Sequence, residues 1–453
     1  MATKFITGER IIISNNNNYS GMYWIREIAP NGKHYLECIP DCEPEPVIDM
    51  ILSGPEFYSN FGWCIDLNRD GNTLVVGAPK ENYQSKRNVG FVYIYNRYGN
   101  GNYWYLNTNL SGATEAKDLR NFGNFGQSVA INSGNIIAVG TPFYRPPSQE
   151  FLPFNGGLGA VRVFNLSGSF WSGQNILSTR SGSRFGDSVD INDRGDTLVI
   201  GAPLDISNNS VTGGKVYIYT GVPGRWSLTK TLSGQNNLGY FGSSVKLNSG
   251  NKLLIGENDS THLYKFITNN WILENTFYKP LADVNLINNN FNKFIDINLS
   301  GNYLIVGCPY RNPYGTTTLY KEQNLGWVEV KTFTGDSNYN YFGASVGLDT
   351  NKNIIAIGSP DENQVYIYTG ENFLLSGKIG YNEKNRRTNE LCLSSFSGMG
   401  NSIAMHEDNN FTAFGAYFSP NAYSSTQSYG NPAGKVFVFD NILTSSSSSS
   451  SSS

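Results

Sequence analysis

The chain has 453 residues, of which 13% are aromatic and 15% are charged, with 49 glycines and a formal net charge of −3. The aromatic content is sufficient for a large core, and so many glycines indicate a chain that turns often. The slightly negative charge argues against a nucleic-acid partner, because binding to phosphates requires a basic surface.

The N-terminal region, residues 1–44, differs in character from the rest of the chain. Its first ten residues lack the apolar stretch of a secretory signal, and apolar runs elsewhere, such as Thr73–Pro79, are too short to span a bilayer. We therefore expect a soluble chain without membrane insertion, in a compartment that the sequence does not specify. Short strands are predicted in this extension around residues 10–14, 23–27 and 34–38.

A repeated frame occupies residues 45–440. Each copy begins with Phe-Gly, continues through a Ser-Val-x-Ile-Asn strand to a Gly-Asn or Gly-Asp turn, and then has an apolar run that ends in Gly-Ala-Pro. A Val-Tyr-Ile-Tyr strand and a last strand from a tryptophan to Leu-Ser-Gly complete the copy. The copies are about 56 residues apart on average and begin near residues 61, 125, 185, 241, 291, 342 and 399.

The frame predicts four antiparallel β-strands in each copy. Glycine in the first turn suits a hairpin that needs positive φ, and proline after the second strand ends the ladder because it has no N–H. Since the second strands are apolar throughout, both of their faces must be covered, and copies stacked radially achieve this. We therefore predict an all-β fold, a seven-bladed β-propeller of four-stranded antiparallel blades.

The two ends of the repeated region predict how the ring closes. The seventh copy stops after its third strand, Lys435–Phe439, and leads into a serine-rich tail, residues 441–453, which we expect to be disordered. A run that matches the missing fourth strand precedes the first copy, at Pro46–Gly54. We expect this N-terminal strand to complete the last blade and to leave no blade face open.

The frame from Phe-Gly to Gly-Ala-Pro resembles FG-GAP repeats, the units of the seven-bladed head of integrin α-chains. Its simpler form, seen in Phe185–Pro203, looks like the variant of microbial and viral surface proteins. The resemblance covers about residues 45–440 and is strongest in repeats one, two, three and six. It implies a propeller used for adhesion or protein contact, without catalysis by the repeats.

Integrin-like repeats often bind calcium in the turn between their first two strands, through side-chain oxygens at alternate positions. In repeat one, Asp66, Asn68 and Asp70 approach that spacing, but Leu74 stands where the last carboxylate would be. A polar hairpin turn is the preferred interpretation, and calcium at these three residues is the alternative. No other cofactor is expected.

The integrin-recognition tripeptide occurs at Arg194–Asp196 in repeat three. It falls on the hairpin turn that repeat one builds from Arg69–Asn72, so turn chemistry accounts for it. We expect a structural turn, with recognition of a partner as the alternative.

The first strand of each blade is expected to line the central channel. Its variable position holds, in the seven repeats, Asp66, Ala130, Asp190, Lys246, Asp296, Gly347 and Ala404. These residues form neither a ring of one charge nor a repeated carboxylate pair, so the pattern does not favour a metal or catalytic site. Neighbouring blades could still bring two aspartates together.

The loops between the second and third strands are the best candidates for ligand recognition, because loops on a rigid scaffold tend to carry function. Three of them are rich in tyrosine and arginine, a composition typical of binding hot spots. The candidate residues are Tyr144, Arg145 and Phe151 in repeat two, Tyr310, Arg311 and Tyr314 in repeat five, and Tyr417 and Tyr423 in repeat seven. The alternative is that these side chains pack the loops onto the propeller.

Together these patterns favour a non-catalytic binding or adhesion module that recognises a protein or a glycan, of the kind displayed on a virion or a cell surface. Three histidines give little material for a nucleophile–histidine–acid set. Two alternatives remain open: a carbohydrate-active lyase or hydrolase on a propeller scaffold, and a purely structural assembly component.

Overall fold

The structure is a computed structural model. It describes residues 10–13, 21–28, 34–38, 50–56, 58–84, 86–97, 103–112, 123–133, 136–145, 157–206, 213–222, 224–234, 239–249, 251–258, 260–278, 294–309, 314–336, 341–380, 398–407, 411–417 and 434–440. The chain divides into two compact units, Met1–Val47 with Ile442–Ser453, and Ile48–Asn441. The predicted serine tail and the start of the fifth repeat at Phe291 lie outside the described residues.

The first unit contains a three-stranded antiparallel sheet with the strand order β1-β2-β3. Its strands are β1 (Arg10–Ile13), β2 (Gly21–Ile28) and β3 (His34–Cys38). The pairing of β2 with β3 shifts register between Ile25 and Glu27, which marks a β-bulge.

The second unit begins with β4 (Met50–Ser53) and continues as seven four-stranded antiparallel sheets, the blades. Six blades use four consecutive strands, and the seventh takes its fourth strand from β4. Blade 1 consists of β5 (Ile65–Leu67), β6 (Thr73–Ala78), β7 (Phe91–Arg97) and β8 (Trp104–Ser111). Blade 2 consists of β9 (Ser128–Ile131), β10 (Ile136–Thr141), β11 (Ala160–Ser167) and β12 (Phe170–Leu177). Blade 3 consists of β13 (Ser188–Ile191), β14 (Thr197–Ala202), β15 (Lys215–Val222) and β16 (Arg225–Ser233). Blade 4 consists of β17 (Ser244–Leu247), β18 (Lys252–Gly256), β19 (Ser260–Ile267) and β20 (Asn270–Tyr278), and blade 5 consists of β21 (Ile295–Ile297), β22 (Tyr303–Cys308), β23 (Thr316–Gln323) and β24 (Gly326–Thr334). Blade 6 consists of β25 (Ser345–Asp349), β26 (Ile354–Ser359), β27 (Gln364–Thr369) and β28 (Leu374–Gly380). Blade 7 consists of β29 (Met399–Met405), β30 (Phe411–Ala416) and β31 (Lys435–Asp440) together with β4.

The blades form a closed ring with their first strands innermost. These strands contact one another in the order β5, β9, β13, β17, β21, β25 and β29, and β29 in turn contacts β5. The structure therefore confirms the predicted all-β, seven-bladed propeller. Among the residues described above, no helix is long and apolar enough to cross a membrane.

The N-terminal strand completes the last blade, as predicted. β4 pairs antiparallel with β31, so that Ser53 lies opposite Lys435 and Leu52 lies opposite Val436. Leu52 is buried, whereas Ile51 on the other face of the strand is 42% exposed. One buried side chain thus docks the beginning of the repeated region onto its end.

Neighbouring blades share their cores. The cluster at the joint of blades 7 and 1 contains Phe411 and Val436 together with Leu74 and Val76. Further clusters join blades 1 and 2, 2 and 3, 3 and 4, 4 and 5, and 5 and 6. Second strands such as β10 are buried at every position, while most positions of the outer strand β24 are exposed. Radial stacking therefore explains why the second strands are apolar throughout.

The glycines of Phe-Gly and Gly-Ala-Pro meet where one blade contacts the next. At the joint of blades 3 and 4, Gly242 has a φ of +87°, and a Cβ added to Gly201 would lie 2.0 Å from the carbonyl oxygen of Gly242. The hydroxyl of Ser188 donates a hydrogen bond to the same oxygen at 2.8 Å. Both glycines are required, because one adopts a left-handed φ and the other leaves room for the neighbouring backbone.

This joint recurs around the ring. The hydroxyl or thiol of the first strand donates to the glycine carbonyl of the next blade in four more places: Ser128 to Gly186 at 2.9 Å, Ser345 to Gly400 at 2.6 Å, Ser402 to Gly62 at 2.9 Å and Cys64 to Gly126 at 3.1 Å. Blade 5 differs, since Phe294 occupies the position of the serine. The buried Ser244 hydroxyl of blade 4 has no hydrogen-bond partner among the described residues, which do not include residue 292, the counterpart in blade 5 of the glycine in Phe-Gly.

Candidate interaction face and central channel

The ring has two faces of different construction. We call the loop face the one at which the second strands end, because it carries the loops to the third strands and the connections between blades. The turn face, on the opposite side, carries the hairpins that join first to second strands. The predicted ligand-binding residues that the structure describes belong to segments of the loop face.

A carboxylate, buried in blades 1, 3 and 4 and half-buried in blade 6, anchors the loop to the third strand in four blades. In blade 1 the Tyr93 hydroxyl donates to Glu81 Oε1 at 2.6 Å, and both residues are buried. The corresponding pairs are Tyr217 with Asp205, His262 with Glu257 and Tyr366 with Glu362. Each of these loops is therefore tied to its own blade by a hydrogen bond between two side chains, and where the carboxyl group is ionised this bond is stronger than one between neutral groups.

The phenylalanine of Phe-Gly packs against the ring that makes this hydrogen bond. In blade 1, Phe61 meets Tyr93 edge to face with 5.5 Å between the ring centroids. Equivalent contacts join Phe185 to Tyr217 at 5.3 Å, Phe241 to His262 at 5.4 Å and Phe342 to Tyr366 at 5.0 Å. The repeat signature thus holds the base of the loops as well as the joints between blades.

Glu81 is the anchor whose protonation is most affected by its surroundings. Burial raises the pKa of Glu81 from 4.5 to about 7, against the lowering effect of the Tyr93 hydrogen bond and with a smaller raising effect from Glu56. Its Oε2 atom is buried and has no hydrogen-bond partner among the described residues. Ionisation of this carboxyl group is therefore unfavourable in the folded chain.

Replacing Glu81 by glutamine is expected to stabilise the chain above pH 7 and to leave it unchanged in acid. Because the pKa of Glu81 is higher in the folded chain than its ordinary 4.5, wild-type stability is full below that pH and falls as the pH rises to about 7. The Glu81→Gln variant keeps the acceptor for Tyr93 and loses this decline, a gain of up to about 3 kcal/mol at pH 8. Urea unfolding at a series of pH values measures it. The exposed Glu371→Gln change is the control, and an identical pH profile for Glu81→Gln and wild type would contradict the prediction.

Four of the predicted ligand-binding residues lie among the described residues, in blades 2, 5 and 7. Tyr144 and Arg145 are half-buried, and the Tyr144 backbone bonds to Thr141 and Gly159 at 3.1 and 3.2 Å. Tyr314, just before β23, is 40% exposed. Tyr417 packs edge to face against Trp63 at the joint of blades 7 and 1, with 4.8 Å between centroids. The other four, Phe151, Tyr310, Arg311 and Tyr423, lie outside the described residues.

Two exposed tyrosines of the loop face escaped the sequence prediction. Tyr58, in the connection from β4 to β5, is 54% exposed, and Tyr83, in the loop from β6 to β7, is 37% exposed. The two segments are joined, because the Lys80 N–H donates to the Ser59 carbonyl at 3.0 Å. A tyrosine four residues after Gly-Ala-Pro was the available signal for Tyr83, but the shortness of this loop made it less conspicuous than the loops of repeats two, five and seven.

Three aspartates of the central channel connect neighbouring blades. Asp66 accepts a hydrogen bond from the backbone N–H of Ile131 at 2.8 Å, and Asp190 accepts one from Leu247 at 2.7 Å. In the same way Asp296 accepts from Leu348 at 3.1 Å. The aspartates of blades 1, 3 and 5 therefore bind the first strands of blades 2, 4 and 6. The sequence shows these residues at one repeat position, but their common role appears only when the blades are side by side.

Lys246 of blade 4 balances the charge of these aspartates. Its Nζ lies 3.8 Å from Asp296 Oδ1, and its side chain is 35% accessible because it lines the channel. Burial alone would lower the pKa of Lys246, but four carboxylates raise it above its ordinary value, those of Asp190, Asp296, Asp66 and Asp193. Burial raises the pKa of Asp296 to about 6, against the lowering effects of Lys246 and of two backbone hydrogen bonds. The charged side chains of the channel therefore stabilise one another, and the aspartates also hold neighbouring blades together.

Polar contacts at the turn face connect both adjacent blades and blades that are not adjacent. Arg69 of blade 1 lies 3.6 Å from Asp193 of blade 3. Glu407 of blade 7 accepts backbone hydrogen bonds from Leu299 of blade 5 at 2.8 Å and from Thr350 of blade 6 at 2.9 Å. These contacts tie the hairpins together around this end of the channel.

The turns considered for calcium and for partner recognition use their polar groups locally. Asp66 belongs to the channel, Asn68 Oδ1 accepts the backbone N–H groups of Asn72 and Thr73 at 3.0 and 2.9 Å, and Asp70 is exposed. Within the described ranges no group of three or more His, Cys, Asp or Glu residues is arranged to hold a metal ion, and calcium at Asp66, Asn68 and Asp70 stays a prediction. In the tripeptide, Asp196 accepts from Asn192 Nδ2 at 2.7 Å, which is the predicted turn chemistry.

The closed ring and its repeated joints define the class of this protein, a seven-bladed β-propeller. One of its repeats is of FG-GAP type. Residues 179–219 match the FG-GAP repeat family, and this segment contains Phe185-Gly186, Gly201–Pro203, the strands β13 and β14 and the first part of β15 in blade 3. The resemblance inferred from the sequence is therefore confirmed.

Several solved structures are similar to this chain over most of its length. The structure of U3-55K has a TM-score of 0.55 with 12% identity, over 86% of this chain and 99% of that one. The β-propeller domain of Cps50 (Swd1) from Myceliophteria thermophila has a TM-score of 0.54 with 11% identity, over 87% and 99%. The WD40 repeats of RRP9 also have a TM-score of 0.54, with 12% identity over 87% and 99%. At these identities the likeness establishes the fold alone.

Proposed function

We propose that this propeller is a non-catalytic interaction module that binds a protein partner through its loop face. The observation that carries the proposal is the recurring anchor, exemplified by Glu81 and Tyr93, which fixes four loops to their blades. Loops that are already held in one conformation lose little conformational entropy when they bind a partner. Less of the favourable contact energy is then offset, and the affinity is higher.

The composition of the loop face supports the same function. Tyr58, Tyr83 and Tyr314 are exposed there at 54%, 37% and 40%. Tyrosine offers a large contact area and a hydroxyl at a small cost in side-chain entropy, and it is enriched among hot-spot residues. The half-buried Tyr417 and Trp63 pair lies on this face beside the blade that carries Tyr58 and Tyr83. Blade 1 and its joint with blade 7 therefore form the aromatic centre of the proposed surface.

A finer form of the proposal concerns the setting of this binding. FG-GAP propellers of the integrin type suggest adhesion, with display on a virion or a cell surface and with a protein or a glycan as ligand. The channel charges support a binding role over catalysis, because Asp66, Asp190 and Asp296 are already engaged in holding adjacent blades.

Exposed tyrosines of the loop face are expected to carry the binding energy. The full chain, immobilised, captures its partner, and the affinity of that partner is then measured for Tyr83→Ala and Tyr314→Ala. We expect each change to weaken binding by about tenfold or more without a shift in melting temperature. Tyr103→Ala is the matched control, because Tyr103 is 64% exposed but precedes β8 at the turn face.

Two results would contradict this function. Equal weakening by Tyr103→Ala would show that the loop face has no special role. Turnover of a polysaccharide, tested in parallel with binding on a glycan array, would show that the propeller is an enzyme instead.

A further inference from the structure

The outer strands of most blades contain a β-bulge, which affects how readily their outer edges can pair with another strand. In five blades the outer strand contains one more residue than its partner, so the pairing shifts register at one common position. The shifts occur at Ile94/Tyr95, Ile218/Tyr219, Leu263/Tyr264, Leu319/Tyr320 and Ile367/Tyr368. Such bulges twist an edge strand and make it a poor template for another strand.

Blade 2 lacks this protection. The eight residues of β12 pair one to one with the eight residues of β11, from Ala160 opposite Leu177 to Ser167 opposite Phe170, without a register shift. The outer strand of blade 7, β4, is also regular, but it has only four residues. Within the part of the chain that the structure describes, blade 2 therefore presents a long outer edge without a bulge.

The sequence of β12 adds no protection of its own. It reads FWSGQNIL and contains neither a charged residue nor proline, the two kinds of residue that commonly guard an edge. β8 is also free of charge, but it carries the bulge. At the two ends of β12, Phe170 is 78% exposed and Leu177 is 45% exposed. Apolar surface thus flanks a row of backbone groups that can accept a further strand.

We infer that β12 pairs antiparallel with β12 of a second copy of this chain. A strand that adds to this edge must be extended, unbulged and uncharged, and β12 itself meets all three requirements. Pairing of one edge with itself about a two-fold axis is closed, so it ends at a dimer and does not continue into a fibre. The two blades then form one continuous eight-stranded sheet.

The alternation of side chains restricts the register of this pair. In an antiparallel pair, residues that lie opposite each other point to the same face of the sheet. A two-fold axis perpendicular to the sheet must therefore lie level with one residue, which then faces its own copy, and cannot lie level with the bond between two residues. Centring on Gly173 places Ser172 of one copy opposite Gln174 of the other, two polar but uncharged side chains. It also brings the exposed Phe170 of each copy beside Ile176 of the other, which removes apolar surface from water.

Sedimentation velocity of the full chain over about 1 to 100 µM tests the inference, with a reversible dimer as the expected result for the wild type. Ser172→Lys is expected to weaken dimerisation at least tenfold, because it places like charges near each other across the axis. Ser227→Lys is the matched control, since Ser172 and Ser227 are both exposed and both follow the tryptophan of an outer strand. Inserting one serine between Gly173 and Gln174 recreates the bulge of the other blades and should also give a monomer.

The outcomes separate cleanly. A dimer that survives Ser227→Lys but not Ser172→Lys or the insertion supports the pairing, provided that melting temperatures remain similar. A wild type that is monomeric throughout the concentration range overturns it. A dimer that persists in both the Ser172→Lys and the insertion variants also overturns it, because the contact then lies elsewhere.

Discussion

Deleting residues 1–54 is expected to lower the melting temperature by more than about 10 °C, since each kcal/mol of lost stability shifts this temperature by about 2–4 °C in a domain of moderate size. The deletion removes β4, the strand that pairs with β31. Without it, β31 becomes a free edge and Val436 loses its contact with the buried Leu52. Blades 7 and 1 then meet without the strand that links the two ends of the chain. Differential scanning calorimetry measures the effect.

Two controls separate loss of β4 from loss of the preceding residues. Deletion of residues 1–47 retains β4 and should change the melting temperature much less. Within the strand, Leu52→Ala should cost about 2–5 kcal/mol, as for other buried leucines. Ile51→Ala, on the 42% exposed neighbour, should stay within about 0.5 kcal/mol. Equal effects at Leu52 and Ile51 would show that β4 does not fasten the ring.

The ring itself could be predicted from the sequence because its determinants are local and repeated. Phe-Gly, the hairpin glycine and Gly-Ala-Pro each specify a turn or a strand end within a few residues. The incomplete seventh copy and the run at Pro46–Gly54 then supply the one long-range pairing, between β31 and β4. Repetition makes such a fold easier to predict, because a strand that is unclear in one copy can be assigned from the same position in the other copies.

The contacts that give the faces their properties were harder to predict. The sequence left open whether Tyr417 binds a ligand or packs its loop onto the propeller, and it did not show that Tyr417 contacts Trp63 of a blade at the far end of the sequence. The role of Asp66 depends on the position of Ile131 in the next blade, which no local pattern of either segment contains. The anchor between Glu81 and Tyr93 could have been found, because in more than one repeat an acid lies two residues after Gly-Ala-Pro and a tyrosine is the third residue of the third strand.

The chemistry of the repeat signature predicts a second large effect, at the joint of blades 3 and 4. Gly201→Ala would place a Cβ 2.0 Å from the Gly242 carbonyl oxygen, a distance at which backbone must move. We expect the unfolding free energy to fall by about 3 kcal/mol or more, the upper range for overpacking, because the obstacle is main chain and cannot rotate away. Displacement of Gly242 also breaks its hydrogen bond with Ser188. Urea unfolding measures the loss.

The matched control is Gly377→Ala in β28, where a new Cβ would have nothing within 4 Å. That change should be neutral or stabilise the chain by a few tenths of a kcal/mol, because alanine restricts the unfolded chain. Ser188→Ala isolates the hydrogen bond and should cost about 1 kcal/mol, less than Gly201→Ala. If Gly201→Ala were as mild as Gly377→Ala, the close approach of Gly201 and Gly242 could not be the reason for glycine in Gly-Ala-Pro. If Ser188→Ala lowered the unfolding free energy as much as Gly201→Ala, the hydrogen bond of the Ser188 hydroxyl would matter more to the joint than the absence of a side chain at Gly201.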